Sequence, residues 1–410
     1  MNAMQKFDFW LKGFAISALL LCTVTEAHGP AKHEHEHAGA MPKPAQDMGS
    51  SAAADAQGRL WLASKETTAD GDYLMLQTSN DQGRNWSAPT PASHEHIVAS
   101  GDERPRIAFG PKGQIYISYS RPLAKPYTSE LRFIHSEDGG RHFSPAVTVH
   151  KNSDVITHGF GSMAVDGAGD IYITWIDKRD QQAARAAGGT YAGAAQYYAV
   201  SRDGGISFQG DYKIADNSCE CCRSALALNA GGQPMLLWRH IFEPNIRDHA
   251  LLALTPDGKL QAPQRASFDN WSIDACPHQG PALAYGPDGR RHQTWFTGAD
   301  DNGGLYYAAQ NRDGALGVPM RLGGDQASHA DVAVQGTHVA LVWKEFDGKI
   351  TTIKGSNSYD GGDTWQAATL AETEGGSDQP RLVSTPHGIL LVWRTRQNGI
   401  VTVAMPKGRA

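Results

Sequence analysis

Apolar residues along this chain come in short alternating runs, and the runs are paired across a turn. Seven such pairs can be read: SAAADAQGRLWLAS from Ser51, RIAFGPKGQIYISY from Arg106, SMAVDGAGDIYITW from Ser162, ALALNAGGQPMLLW from Ala225, ALAYGPDGRRHQTW from Ala282, DVAVQGTHVALVW from Asp331 and RLVSTPHGILLVW from Arg381. Each opens with a short period-2 run, turns at Gly, Pro, Asp or Asn, and continues in a longer run rich in aromatic and β-branched residues. That pattern predicts strand–turn–strand and no amphipathic helix. The pairs recur every 49 to 63 residues, measured between Gly58, Gly113, Gly169, Gly232, Gly289, His338 and Gly388. A period of that length holds one four-stranded blade, so the fold expected is an all-β propeller. Seven units predict seven blades, with six plus a decorated edge as the other count. The last unit, Arg381 to Met405, shows three strands, and the stretch near Met41 to Met48 is expected to supply the fourth.

A second motif falls after the third strand of several units: Ser79-x-Asp81-x-Gly83-x-x-Trp86, Ser136-x-Asp138-x-Gly140-x-x-Phe143, Ser201-x-Asp203-x-Gly205-x-x-Phe208 and Ser358-x-Asp360-x-Gly362-x-x-Trp365. Worn copies stand at Asp257-Gly258 and Asp313-Gly314. The chemistry is that of a hairpin: Asp folds back onto turn amides, Gly takes positive φ, and the aromatic is buried. These are Asp-box (BNR) repeats, and residues 46–410 resemble the sialidase-like propeller superfamily. In that superfamily the box is structural and lies away from the active face, so the resemblance implies a fold and not a reaction.

The N-terminus reads differently. Lys6 and Lys12 precede an apolar run from Phe14 to Val24, followed by Thr25-Glu26-Ala27. This is the pattern of a cleaved signal peptide over residues 1–27, with export to the periplasm or the medium expected. The run is shorter than the ~20 residues a membrane span needs. A lipoprotein reading would use Cys22, although Leu21 stands where a small residue is wanted. Residues 28–45 are a His-, Pro- and Ala-rich tail without periodicity. A formal net charge of -6 gives no support for nucleic-acid binding.

The candidate chemistry lies in the segments that enter the first strands, on the face where a propeller's channel opens. Counted back from those strands, Cys219 and Cys276 share one offset, while His158, Cys221 and His278 share another. Cys222 lies one step further in, and His329 stands two residues before its own strand. Thiolate with imidazole selects Cu(I) or Zn(II) over hard cations, so a transition-metal site is expected, copper first and zinc as the alternative. Structural disulfides are the other reading of four cysteines in an exported chain. Cleavage after Ala27 would leave His28 as the N-terminus, followed by His33, His35 and His37, a tail suited to metal as well.

The function expected is metal buffering, delivery or detoxification, with another periplasmic metal-handling protein as partner and no catalytic residue assigned. Two alternatives stay open. The resemblance implies a sialidase-type glycosidase, in which an arginine cluster holds a substrate carboxylate. Arg104, Arg223 and Arg381 are the residues for that role. However, Arg104-Pro105-Arg106-Ile107 departs from the family's Arg-Ile-Pro order, and no Tyr–Glu nucleophile pair can be placed. A protein-interaction scaffold is the third class.

Overall fold

A computed structural model describes residues 48–275, 277–311 and 313–406. The tail residues His28, His33, His35 and His37, the leader and Cys276 lie outside the described residues.

Within them the strands form seven antiparallel sheets, six of four strands and one of three. The innermost strands are Ser50–Ala54, Arg106–Phe109, His158–Val165, Ala225–Leu228, Ala282–Tyr285, Ala327–Gln335 and Arg381–Thr385. Each packs beside the next, and the last packs beside the first, which closes a ring around an axial channel. The expected seven-bladed propeller is therefore the fold. No helix among the described residues is long and apolar enough to cross a membrane. One short helix, Arg179–Ala186, interrupts the third blade between its second and third strands, and no sequence pattern announced it.

The strand pairs form where the alternation places them, because their turns are chemically specified. In the first hairpin, Asp55 Oδ1 accepts the N–H groups of Gln57 and Arg59, and Gly58 takes φ +82°. Asp166 and Asn229 repeat the device in the third and fourth blades. The tryptophan closing most second strands is buried and hydrogen-bonded: Trp175 to Asp177, Trp238 to Ser218, Trp295 to Asp269 and Trp393 to the carbonyl of Asp378. An indole donates its N–H at one end and buries an apolar body at the other, so it fixes the strand's end as well as its face.

The Asp boxes form the turns between third and fourth strands. Ser79, Ser136, Ser201 and Ser358 each accept the N–H of the box glycine four residues on, at 2.7–3.0 Å. The Asn85 backbone N–H, the Asn85 amide and the Ser79 hydroxyl together hold the Asp81 carboxyl down to about 2. The box aromatics reach outward from their own blades. Phe143, Phe208 and Trp365 pack into cores shared with the preceding blade, and Trp86 into the one shared with the last. The boxes thus bond neighbouring blades together.

The seventh blade has three strands among the described residues, and Met41–Asp47 lie outside them. Its seam with the first blade is made by side chains. Asp378 Oδ2 accepts both the N–H and the hydroxyl of Ser50 at 2.5 Å. Arg394 donates to the carbonyl of Lys65, while Leu60 and Leu62 pack on Val383, Leu390 and Val392.

Candidate metal centre

The chain leaves the third blade's outer strand, Gln209–Ser218, and crosses the channel mouth before entering the fourth blade at Ala225. That crossing is riveted to the neighbouring strand Pro234–Arg239. The Cys219 N–H donates to the Arg239 carbonyl, the Ile241 N–H donates to the Asn217 carbonyl, and Trp238 donates to the Ser218 hydroxyl. Asn217 takes φ +55°, which Asn tolerates better than a branched residue, and this turns the chain inward.

Cys219, Cys221 and Cys222 follow on this fixed turn, all buried, with Phe160 of the third blade packed over them. Their three sulfurs lie within 4.8 Å of one another, the one such group of three metal-binding side chains among the described residues. Cys219 and Cys222 stand 2.7 Å apart, and Cys219 and Cys221 3.7 Å.

The two close sulfurs are electrostatically unlike. Burial pushes the Cys222 thiol up, but it is outweighed by the thiols of Cys219 and Cys221, the Arg239 guanidinium and the Gln279 backbone N–H, which together hold Cys222 well below the usual thiol range. Cys219 moves the other way. The Cys221 contact lowers it, while the Cys222 contact, burial and the Cys222 charge together raise it. The two sulfurs thus shift in opposite directions, and the Cys219 thiol donates to Cys222. Thiolate is the species that ligates soft metals.

The sequence gives Arg239 no prominence, since it reads as a charge at the end of a strand. In the fold it is buried, donating to the carbonyls of Arg247, Gln279 and Phe296 and stacking over Trp271. Gln279 links the cluster further, because its side-chain oxygen accepts the His329 N–H at 3.1 Å.

The histidines paired with the cysteines by sequence offset are placed unequally. His278 is exposed at φ +51°, and together with Cys221 it lines a cavity of about 540 Å³ at the channel mouth. Glu220, Lys178, Phe160 and Tyr127 line the same cavity. His158 and His329 are not in entering loops. Irregular pairing extends the third and sixth inner strands backwards, so both residues lie within strands. His158 is fully buried, stacked on His150 at 3.8 Å, with Nε2 facing Asn152 Oδ1 at 3.0 Å and Nδ1 facing the Ser129 carbonyl. It is not part of the three-sulfur group. Strand extension by a bulge follows no composition rule, so the offset count misplaced both.

Beside the thiols stand the arginines of the carboxylate reading, and each has internal partners. Arg104 donates to Gln379 Oε1 at 2.8 Å, Arg223 donates to the Ala330 carbonyl and faces Asp102, and Arg381 pairs with Asp331 at 3.2 Å. Burial and the nearby Arg381 and Arg223 charges press Arg104 down to about 9, still a cation at neutral pH. Burial raises Asp102 to about 6, with the Cys222 charge adding to the rise and Arg223 and Arg104 opposing it.

No family model matches the sequence, and no curated protein is similar to it. Solved structures are similar in fold. An ulvan lyase shares a TM-score of 0.53 at 12% identity, covering 88% of this chain and 94% of its own. A protein from Dyadobacter fermentans gives 0.51 at 12% identity, covering 82% and 96%. An α-L-arabinofuranosidase from Fusarium graminearum gives 0.51 at 12% identity, covering 76% and 93%. Identity at this level speaks to architecture alone. What these likenesses show is the fold, a closed seven-bladed β-propeller, here carrying four complete Asp boxes.

Proposed function

We propose that this propeller binds one transition-metal ion through Cys219, Cys221 and Cys222 at its channel mouth, and that copper(I) is the ion, with zinc(II) as the alternative. The observation that carries the reading is the convergence of three buried sulfurs on one rigid turn, with the Cys222 thiol held well below its usual range. A soft donor set with few ligands and little water suits Cu(I) better than a cation that prefers oxygen. The cavity beside Cys221 supplies an access route from solvent, with His278 at its rim. Binding displaces the remaining thiol protons, so affinity falls as pH drops. With the leader read as a signal peptide, the role is metal buffering, delivery or detoxification outside the cytoplasm. The partner is then a soluble protein of the same compartment that gives or takes the ion.

The test is a Cu(I) competition titration on reduced protein lacking residues 1–47, so that the His tail contributes nothing. One equivalent should bind, and the double variant Cys219→Ser/Cys222→Ser should bind none while remaining folded by circular dichroism. A double variant that still takes one equivalent removes the site.

A further inference from the structure

The channel beneath the thiol cluster contains a second, chemically different arrangement. All seven inner strands line an axial cavity of about 130 Å³, to which Arg106, Arg223, Arg381 and Ser51 contribute. Each arginine is fixed by part of its fork. Arg106 Nε donates to the Gly161 carbonyl at 2.7 Å, Arg223 Nη2 donates to the Ala330 carbonyl at 3.3 Å, and Arg381 Nη1 pairs with Asp331 at 3.2 Å. Each fork also has an unused donor. Arg106 Nη2, Arg223 Nη1, Arg381 Nε and Ser51 Oγ are buried with no hydrogen-bond partner among the described residues. Arg223 is 3% exposed and Ser51 5%. Arg223 Nη1 has only a 3.8 Å ionic approach to Asp102, beyond hydrogen-bond length.

Orphaned buried donors of this strength are costly, and guanidinium groups that repel one another cost more. Arg104, Arg381 and Arg223 all press on Arg106. Of the carboxylates nearby, Asp331 lines the same cavity and offsets Arg381 while accepting the Leu382 N–H, and Asp378 Oδ2 is taken up by Ser50, so three cavity guanidinium groups face one cavity carboxylate.

We infer that this cavity is a binding site for a small tetrahedral oxyanion, phosphate or sulfate, held by Arg106, Arg223, Arg381 and Ser51. Guanidinium forks and a hydroxyl present N–H and O–H groups to the oxygens of such an ion. Size selects the class. A cavity of ~150 Å³ accommodates a benzene-sized guest, whereas pockets for larger organic ligands begin near 300 Å³. A sugar acid is therefore too large. The site also differs from the carboxylate clamp expected from the resemblance, since Arg104 is bonded to Gln379 and Arg106 takes its place on the cavity wall.

Calorimetric titration of the full propeller tests this, with inorganic phosphate and sulfate as the probes. Sodium chloride at matched ionic strength and N-acetylneuraminic acid serve as the comparison arms. One equivalent of phosphate or sulfate should bind, and Arg106→Gln should weaken it about tenfold or more. Absence of binding, equal heats from chloride, equal affinity for the sugar acid, or native affinity in R106Q would each overturn the site. If R106Q does not fold, Ser51→Ala decides: several-fold weaker binding supports the site, and native affinity overturns it. None of these readings depends on the metal, so the two sites stand or fall separately.

Discussion

Three cysteines within four positions are plain in the sequence, but what makes them unequal is not. Beyond the Cys219 and Cys221 contacts, Cys222 is held below the usual thiol range by two partners, Arg239 from the end of a neighbouring strand and the Gln279 N–H from the next blade. Neither partner carries a motif, so only the fold could name them. Buried histidines give the residue scale its pH dependence. Burial lowers His150, His240 and His292 to about 4, from an ordinary value of 6.5. The folded state thus holds them neutral, while the unfolded chain takes up protons below 6.5. Their contribution is intact above 6.5 and is lost as pH falls toward 4. Asp102, raised to about 6, acts in the opposite sense, as do the raised Glu103, Asp170 and Asp269, but burial lowers His158 and His249 as well. The midpoint of thermal unfolding should therefore fall by several degrees between pH 6.5 and 4.5, read by circular dichroism. A flat profile would contradict this reading of the histidines.

At the scale of elements, alternation and turn chemistry made the blades legible, because a period-2 pattern has one face to bury and the turn residues set where it reverses. The Asp boxes were equally legible as turns. Their aromatics were expected to be buried, and the fold adds that they pack across to a neighbouring blade. Two substitutions separate the box glycine from a glycine at a variable box position. Gly205 has φ +90° and lies against the Phe133 ring, so Gly205→Ala combines backbone strain with a clash and should cost about 2–4 kcal/mol. Gly139 has φ +75° with open space around it, so Gly139→Ala should cost only about 1 kcal/mol. Urea denaturation measures both. Equal costs would mean that the box does not bond the blades. The helix Arg179–Ala186 and the backward extensions at His158 and His329 escaped the sequence reading, because each departs locally from an otherwise regular repeat.

For the whole molecule, the seam matters most, since every inner strand has a neighbour on both sides only while the ring is closed. Here no fourth strand laces the last blade to the first among the described residues, and Asp378 bridges the gap by holding both donors of Ser50. Asp378→Ala should lower stability by about 2–3 kcal/mol. It should also raise hydrogen exchange first in Ser50–Ala54 and Arg381–Thr385, the two inner strands that meet there. Uniform acceleration around the ring would place the weak point elsewhere. The closed ring in turn fixes the thiol turn, since the crossing that carries it is pinned to strands on both sides. X-ray absorption at the metal edge of reduced, copper(I)-loaded protein lacking residues 1–47 tests the central claim most directly. The account predicts a first shell of sulfur, near the roughly 2.3 Å typical of metal–thiolate bonds. A shell of nitrogen or oxygen alone, or a spectrum unchanged in Cys219→Ser/Cys222→Ser, would contradict it.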